Sequence, residues 1–375
     1  MKRVAIVIPF GYQRGGAEAM LLHMLRENAA RPLLDCHLLF LGDGPIVGEM
    51  QNLGYMTQVF ASPGRLRQIH RYLHTVLKLR RELCNSNVDV ILSWTAGGHL
   101  YAGPSAIGLG MSVFWFLHRI PGPDRMTRIY NAIPADGIIA CSPVAARAQV
   151  NLVPHRSVSV CCPAIDLGYL EKIRLQGKAY WRTYLGLPAE APVVGMVARL
   201  DRGKGVELFI SLVAQLAHCY HNELHAFLVG GADPTNQGYA DRIRALAEGT
   251  GLGDRLHLLG QLRLEDVARW QCACDVAIHC ATSGEAFGMA IVEAMALEKP
   301  VVASSRGGPA DIIQDRVNGL LCPPEDVEKF GRLVEELLSN PGLRQALGKA
   351  ARKRAQEFSP QTLLHCVANR LAGKP

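Results

Sequence analysis

An alternation of short apolar segments with stretches of helical spacing runs along this chain twice, and it constrains the fold more than any other feature. The first series is Val4–Pro9, His37–Leu41, Val88–Ser93, Val113–Leu117, Gly137–Ala140 and Val158–Cys161. After its first member comes a Gly-containing loop and then Ala17–Glu27, where Met20, Leu21, Met24 and Leu25 fall at helical spacing. Strands that are apolar throughout belong to parallel sheets covered on both faces by helices. A helical stretch over 166–192, ending in Leu187-Pro188, breaks the series. It then restarts with Val193–Val197, Ala226–Val229, Leu256–Leu259, Asp275–Cys280, Pro300–Ala303 and Gly319–Cys322. A chain of 375 residues also exceeds what one core usually serves. The expectation is an α/β protein with two doubly wound domains, over 1–165 and 166–355. A last helical segment, 356–375, has no strand left to cover and is available to cross back to the first domain.

Composition excludes several classes. With 49% hydrophobic and 19% charged residues the chain is neither disordered nor membrane-spanning, and its longest apolar runs are strand-length. Met1-Lys2-Arg3 and Val4–Phe10 are followed at once by Tyr12, Gln13 and Arg14, so no signal-peptide core is read there and a cytoplasmic protein is expected. The eleven cysteines are scattered, many in apolar stretches (Cys36, Cys141, Cys219, Cys280, Cys322). Cys272-Ala273-Cys274 and Cys161-Cys162 lack a second pair at zinc-ligand spacing, so buried thiols in a reducing compartment are expected, and no metal. The net charge of +7 is lopsided: residues 1–180 hold 19 Lys+Arg against 11 Asp+Glu, the remainder 21 against 22. That excess suggests an anionic acceptor or the inner face of a membrane as partner of the first half, and no nucleic acid is expected.

The densest chemistry lies between Thr282 and Pro324. Asp275–Ala281 reads as a strand, Thr282–Ala286 as a loop, and Phe287–Leu297 as a helix. Gly284 and Gly288 allow close backbone approach at the turn, and the free amides of a helix start attract phosphate. The loop lies outside the carboxyl end of a strand, where open α/β sheets bind ligands. Glu285 in the loop and Glu293 about two turns into the helix can accept hydrogen bonds from sugar hydroxyls, one at each end of a nucleotide-sugar. Either alone reads as a helix-surface or dipole residue; the pair, set among glycines, points to a site.

The run Ser283-Gly284-Glu285-Ala286-Phe287-Gly288-Met289-Ala290-Ile291-Val292-Glu293 closely resembles the E-x-F-G-(x)4-E signature of the family 4 retaining glycosyltransferases. Those enzymes have the GT-B fold, two Rossmann-like domains facing across a cleft. Lys299-Pro300-Val301-Val302-Ala303, Gly307-Gly308, Asp311-Ile312-Ile313 and Asn318-Gly319-Leu320-Leu321 match the family in order and spacing, with Asp311 in place of its usual glutamate. The resemblance implies that Glu293 binds the ribose hydroxyls and that Glu285, with Ala286 beside it, meets the donor sugar. The amides of Phe287, Gly288 and Met289 would meet sugar and diphosphate. Val197-Ala198-Arg199-Leu200-Asp201-Arg202-Gly203-Lys204-Gly205 is a second match, in which Arg199 and Lys204 would neutralise the leaving diphosphate without a metal. Gly230-Gly231 resembles the family's glycine turn beside the nucleotide. In the first half, Gly15-Gly16-Ala17-Glu18 resembles its G-G-x-E loop, and His118 corresponds to a histidine near the donor sugar. Pro163-Ala164-Ile165-Asp166 departs from the family's N-G-(V/I)-D stretch.

The resemblance thus implies retaining transfer from a UDP- or GDP-sugar to a hydroxyl acceptor, carried by His118, Glu285, Arg199 and Lys204 with no cofactor. Cell-surface polysaccharide or glycolipid synthesis is the implied setting. A GT-B sugar-nucleotide epimerase or hydrolase, and a non-catalytic sugar-nucleotide-binding partner, stay open as alternatives. Gly64–Cys84 is a candidate amphipathic helix, with Leu66, Ile69, Leu73, Val76, Leu77 and Leu83 in one stripe and Arg67, Arg71, His74, Lys78 and Arg81 in another. Its basic stripe reads either as a solvated face or as a dock, through Arg67, Arg71, Lys78 and Arg81, for anionic headgroups or a phosphate-bearing acceptor.

Overall fold

The structure, a computed structural model, describes residues 1–12, 15–60, 66–220, 223–232 and 237–373. Gln13, Arg14 and Gly64, which entered the sequence reading, lie outside them. The backbone divides into two units, Met1–Ile165 with Ser359–Pro375, and Asp166–Phe358.

The first unit carries β1 (Lys2–Ile8), α1 (Gly16–Ala30), β2 (Leu34–Phe40), α2 (Pro45–Asn52), β3 (Met56–Val59), α3 (Ile69–Asn85), β4 (Val90–Trp94), α4 (Thr95–Ala106), β5 (Ser112–Leu117), α5 (Arg125–Ala132), β6 (Gly137–Ala140), α6 (Pro143–Leu152) and β7 (Val158–Val160). Its strands pair in parallel in the order β3-β2-β1-β4-β5-β6-β7. Val4–Ile8 is buried because β1 lies mid-sheet between β2 and β4, with helices over both faces. The sequence reading passes over β3: Met-Thr-Gln-Val carries no apolar run, because β3 is an edge strand only partly covered.

The second unit carries α7 (Leu167–Gln176), α8 (Lys178–Leu185), β8 (Val193–Val197), α9 (Val206–Cys219), β9 (His225–Val229), α10 (Gln237–Glu248), β10 (Leu256–Gly260), α11 (Leu264–Ala273), β11 (Val276–His279), α12 (Met289–Ala296), β12 (Val301–Ser304), α13 (Pro309–Ile312), β13 (Leu320–Cys322), α14 (Val327–Ser339) and α15 (Pro341–Ala355). Its parallel order, β10-β9-β8-β11-β12-β13, repeats that of β3 to β6 in the first unit. Arg182 on α8 is 2% exposed and binds Asp275, just before β11, at 2.7 Å, while Asp275 also accepts from Lys178 and from the Val193 amide. Both buried charges are thereby paired.

The final helix, α16 (Pro360–Leu371), belongs to the first unit and packs on α1 through its buried Leu363, Leu364, Val367 and Leu371. Cys366 on α16 is bonded to Cys161 after β7, with Cα atoms 5.8 Å apart. This disulfide corrects the expectation of thiols alone; the two residues lie 205 positions apart, so the pairing leaves no local spacing to read. Cys219 is likewise exposed at the end of α9 rather than buried.

A second correction concerns α3. Its core face is Tyr72, Thr75, Val76, Leu79 and Leu83. Ile69, Leu73 and Leu77, assigned from sequence to the same stripe as Val76 and Leu83, are 48%, 49% and 63% exposed. At 100° per residue they form a separate row, between the core face and the basic row of His70, His74, Lys78 and Arg81. The basic row flanks a groove bordered by Gln58, Val59 and Phe60.

Candidate functional site

In a sheet of this order, successive connections leave in opposite directions from a switch point, and the crevice there receives ligands. In the second unit the switch lies between β8 and β11. The loop after β8 carries Ala198 to Gly205, and the loop after β11 carries Cys280 to Gly288. Backbone bonds tie the two loops together: the amides of Thr282 and Ser283 donate to the Gly203 carbonyl at 3.0 and 3.1 Å. Gly205 adopts φ +69°, and a Cβ there would lie 1.8 Å from the Cys280 carbonyl oxygen, so only glycine permits this approach. The approach brings Lys204 Nζ to 2.5 Å from Glu285 Oε2. From the other side, the Gly308 amide donates to the Glu285 carbonyl at 2.7 Å, and Gly307, at φ +88°, bridges to the Glu285 backbone. Glu285 is therefore fixed by two other stretches of chain, the loop after β8 and Gly307-Gly308.

His279, the last residue of β11, places Nε2 3.5 Å from the same Glu285 oxygen. Burial alone lifts the Glu285 carboxyl, but His279 and Lys204 outweigh it and hold the carboxyl down at about 2. Glu293, in the second turn of α12, has no such neighbours, and burial pushes its carboxyl up to about 7. The two motif glutamates thus sit in opposite electrostatic environments one helix turn and a loop apart.

The helix starts at Met289 rather than Phe287, because Gly288 takes φ +116° and caps it. The Ile291 and Val292 amides donate to the Gly288 carbonyl at 3.0 and 3.3 Å, which leaves those of Met289 and Ala290 as the orphan donors of the helix start. The Phe287 ring is buried against Phe358, at 5.3 Å between centroids, so Phe287 offers the site only its backbone. Gly230 packs on the Ala198 carbonyl and the Leu200 amide donates to Gly231 at 2.9 Å, which sets the glycine turn against the backbone of Arg199. The Arg199 side chain is exposed, and among the described residues no hydrogen bond or ion pair joins it to Lys204 or Glu285.

In the first unit the switch lies between β1 and β4. Gly15 and Gly16 are exposed at the start of α1. Trp94, the last residue of β4, donates from Nε1 to the Ala17 carbonyl at 2.9 Å and stands 4.9 Å from the His118 ring, which stacks on Phe116. Burial drops His118 to about 3, so the imidazole is neutral. Trp94 thus links His118 to the Gly15-Gly16 turn, and sequence reasoning missed it by ending the strand at Ser93. Thr95, next in the chain, holds φ +70°, a conformation rare for a branched residue. His279 was missed as well; its signal was a titratable residue closing an apolar strand.

Two units of this strand order define the class of protein: the fold is GT-B. The whole chain superimposes on Anabaena HepE in complex with UDP and glucose (TM-score 0.83, 23% identity, 100% of both chains covered). It superimposes equally on sucrose-phosphate synthase from Thermosynechococcus elongatus (TM-score 0.82, 21% identity, 100% of this chain and 99% of that one). At such identities the likeness is one of fold. The particular family follows from sequence: residues 178–354 match the glycosyl transferases group 1, and the second unit belongs to that family. Curated relatives include the D-inositol 3-phosphate glycosyltransferases of Nocardioides sp. (28% identity over 237 residues, 60% of this chain and 51% of the relative) and Mycobacterium marinum (30% over 231 residues, 60% and 47%). The chain spans about half the length of these relatives.

Proposed function

We propose that this protein is a retaining glycosyltransferase that takes a sugar from a UDP- or GDP-sugar and passes it to a hydroxyl acceptor without a metal. The observation that carries the reading is the Lys204–Glu285 pair, held at the ends of β8 and β11 on either side of the switch point. A diphosphate entering that crevice would meet Lys204, Arg199 and the Met289 and Ala290 amides of α12, a set of donors that neutralises charge as the glycosidic bond breaks. Glu293 would accept from the ribose hydroxyls, with Gly230 beside the nucleotide, and Glu285 would accept from the sugar. In the first unit, neutral His118 can hydrogen-bond a hydroxyl without adding charge, and Gly15 and Gly16 offer open amides. No side chain among the described residues of the crevice is assigned as a covalent nucleophile in this reading. The leaving diphosphate would take the acceptor's proton as the acceptor attacks the face it departs from.

The acceptor side of this reading is a lipid-linked or anionic molecule of cell-surface polysaccharide or glycolipid synthesis, met at the inner face of a membrane. No helix among the described residues is long and apolar enough to cross one. The support is α3, whose exposed Ile69, Leu73 and Leu77 adjoin a basic row, the pattern of a helix lying in a headgroup layer.

Steady release of UDP or GDP from a nucleotide-sugar, dependent on an added lipid-linked acceptor and with the anomer retained, is the expected result. A protein stabilised by nucleotide-sugars that releases no diphosphate with any acceptor would be a binding partner instead. At 100 times its dissociation constant the right donor should add about 2.7 kcal/mol of stability.

A further inference from the structure

We infer that His279 is a positioning residue that holds the Glu285 carboxylate for the donor sugar, with its Nε2 proton directed at that carboxylate and its Nδ1 met by a single water shared with Gln271. The inference rests on the sugar-binding role proposed for Glu285.

His279 ends a strand whose other residues, Val276, Ala277 and Ile278, are aliphatic and buried, and it is itself 6% exposed. An imidazole at such a place is costly unless its nitrogens are met. One of them approaches Glu285: Nε2 lies 3.5 Å from Oε2, the oxygen that Lys204 also binds. Among the described residues Oε1 carries neither contact, which leaves it to accept from a ligand hydroxyl. When Lys204 turns to a bound diphosphate, His279 is the donor that stays on Oε2 and keeps the carboxylate from rotating. A carboxylate can only accept, so Nε2 must carry the proton, and in the neutral ring Nδ1 is then an acceptor.

Among the described residues, His279 Nδ1 is buried and meets no protein partner, and the same is true of Gln271 Oε1. Both residues line one small internal cavity with Gly195, Phe227 and Ala290. The cavity suits a single water, which has a proton for each of the two acceptors. The orientation of Gln271 follows from its other end, since Nε2 donates to the Ala290 carbonyl in the first turn of α12 at 3.0 Å. The relay therefore runs from the helix that bears Glu293, through Gln271 and the water, to His279 and Glu285.

Two measurements test this. In the parent protein, the 15N shifts of His279 should report a proton on Nε2 and a bare, hydrogen-bonded Nδ1; a proton on Nδ1 overturns the relay. For binding, the donor probe is whichever of UDP-glucose and GDP-mannose raises the parent's melting temperature, compared with its nucleoside diphosphate alone. His279→Val should bind the diphosphate as the parent does, but bind the sugar donor about tenfold more weakly and turn over about tenfold more slowly. His279→Gln, whose amide can reach Glu285 as Nε2 does, should come back to within about threefold. Parental donor affinity and turnover in His279→Val, or equal loss for diphosphate and sugar donor, would overturn the positioning role. If the parent shows no turnover with any donor, the transferase reading fails, and the 15N shifts still decide the relay.

Discussion

At the scale of single residues, the two motif glutamates are both half-buried and differ in company. Glu285 has a lysine and a histidine within reach and stays ionised; Glu293 has neither, and its carboxyl is held at about 7. A folded pKa above the unfolded one contributes stability that is fully present below about 4.5 and is lost as pH rises through 7. At most about 3 kcal/mol is involved. The parent should therefore lose stability between pH 5 and 8 relative to Glu293→Gln, as read by urea unfolding at each pH. Ribose recognition needs the carboxylate, so parental affinity for the sugar donor should rise over the same range. The Gln variant should bind roughly tenfold to a hundredfold more weakly; pH-independent stability and affinity in the parent would remove Glu293 from the site. Lys204→Ala should lower turnover about a hundredfold and nucleotide affinity much less, because charge on the leaving group grows only as the bond breaks. A chelator should leave parental turnover intact; a loss that metal restores would show that these cations are not the counter-charge.

At the scale of elements, α3 decides whether the first unit meets a membrane. Changing Arg71, Lys78 and Arg81 on α3, and Arg67 in the turn before it, together to Gln removes about 1 kcal/mol per charge near an anionic leaflet. Binding to phosphatidylglycerol vesicles should fall by up to roughly three orders of magnitude, and added salt should weaken the parent in the same direction. Leu73→Ser with Leu77→Ser should weaken vesicle binding without altering its salt dependence, since those side chains are outside the core. Parental vesicle binding in both variants would leave α3 as a solvated face. Helix α8 offers a contrasting test. Asp275→Ala strands Arg182, which is almost wholly buried, and should cost about 3–5 kcal/mol, read by urea unfolding. A loss under 1 kcal/mol would mean that water reaches the guanidinium.

At the scale of the whole molecule, the chain leaves the first unit after Ile165 and returns at Ser359 to finish it. The first unit thus depends on residues that follow the whole of the second in the chain. Ending the chain at Phe358 should uncover the apolar surface of α1 on which α16 packs, giving an aggregating or protease-sensitive first unit while the second keeps its fold. Cys366→Ser is milder. It reopens a loop of 205 residues and should cost about 2–4 kcal/mol, seen as a lower melting temperature that reductant no longer shifts. A variant melting with the oxidised parent would show that α16 is held by packing alone.

The sequence by itself determined what depends on near neighbours. Strands buried on both faces must be apolar along their length, so β1, β4 to β6, β8 and β11 were legible, and β3, at an open edge, was not. Glycine spacing and paired carboxylates located the loop between β11 and α12, because a turn that approaches a ligand needs residues without a Cβ. Only the tertiary structure decided which of two similar apolar rows on α3 meets the core, since both repeat at helical spacing and packing selects one. It also decided the partners that lie far apart in the chain: Cys161 with Cys366, Arg182 with Asp275, and Lys204 with Glu285. Glu285 and Glu293 look alike as letters in a motif. Their opposite charge behaviour comes from who stands beside each in space, and electrostatic energy depends on distance through the fold rather than along the chain.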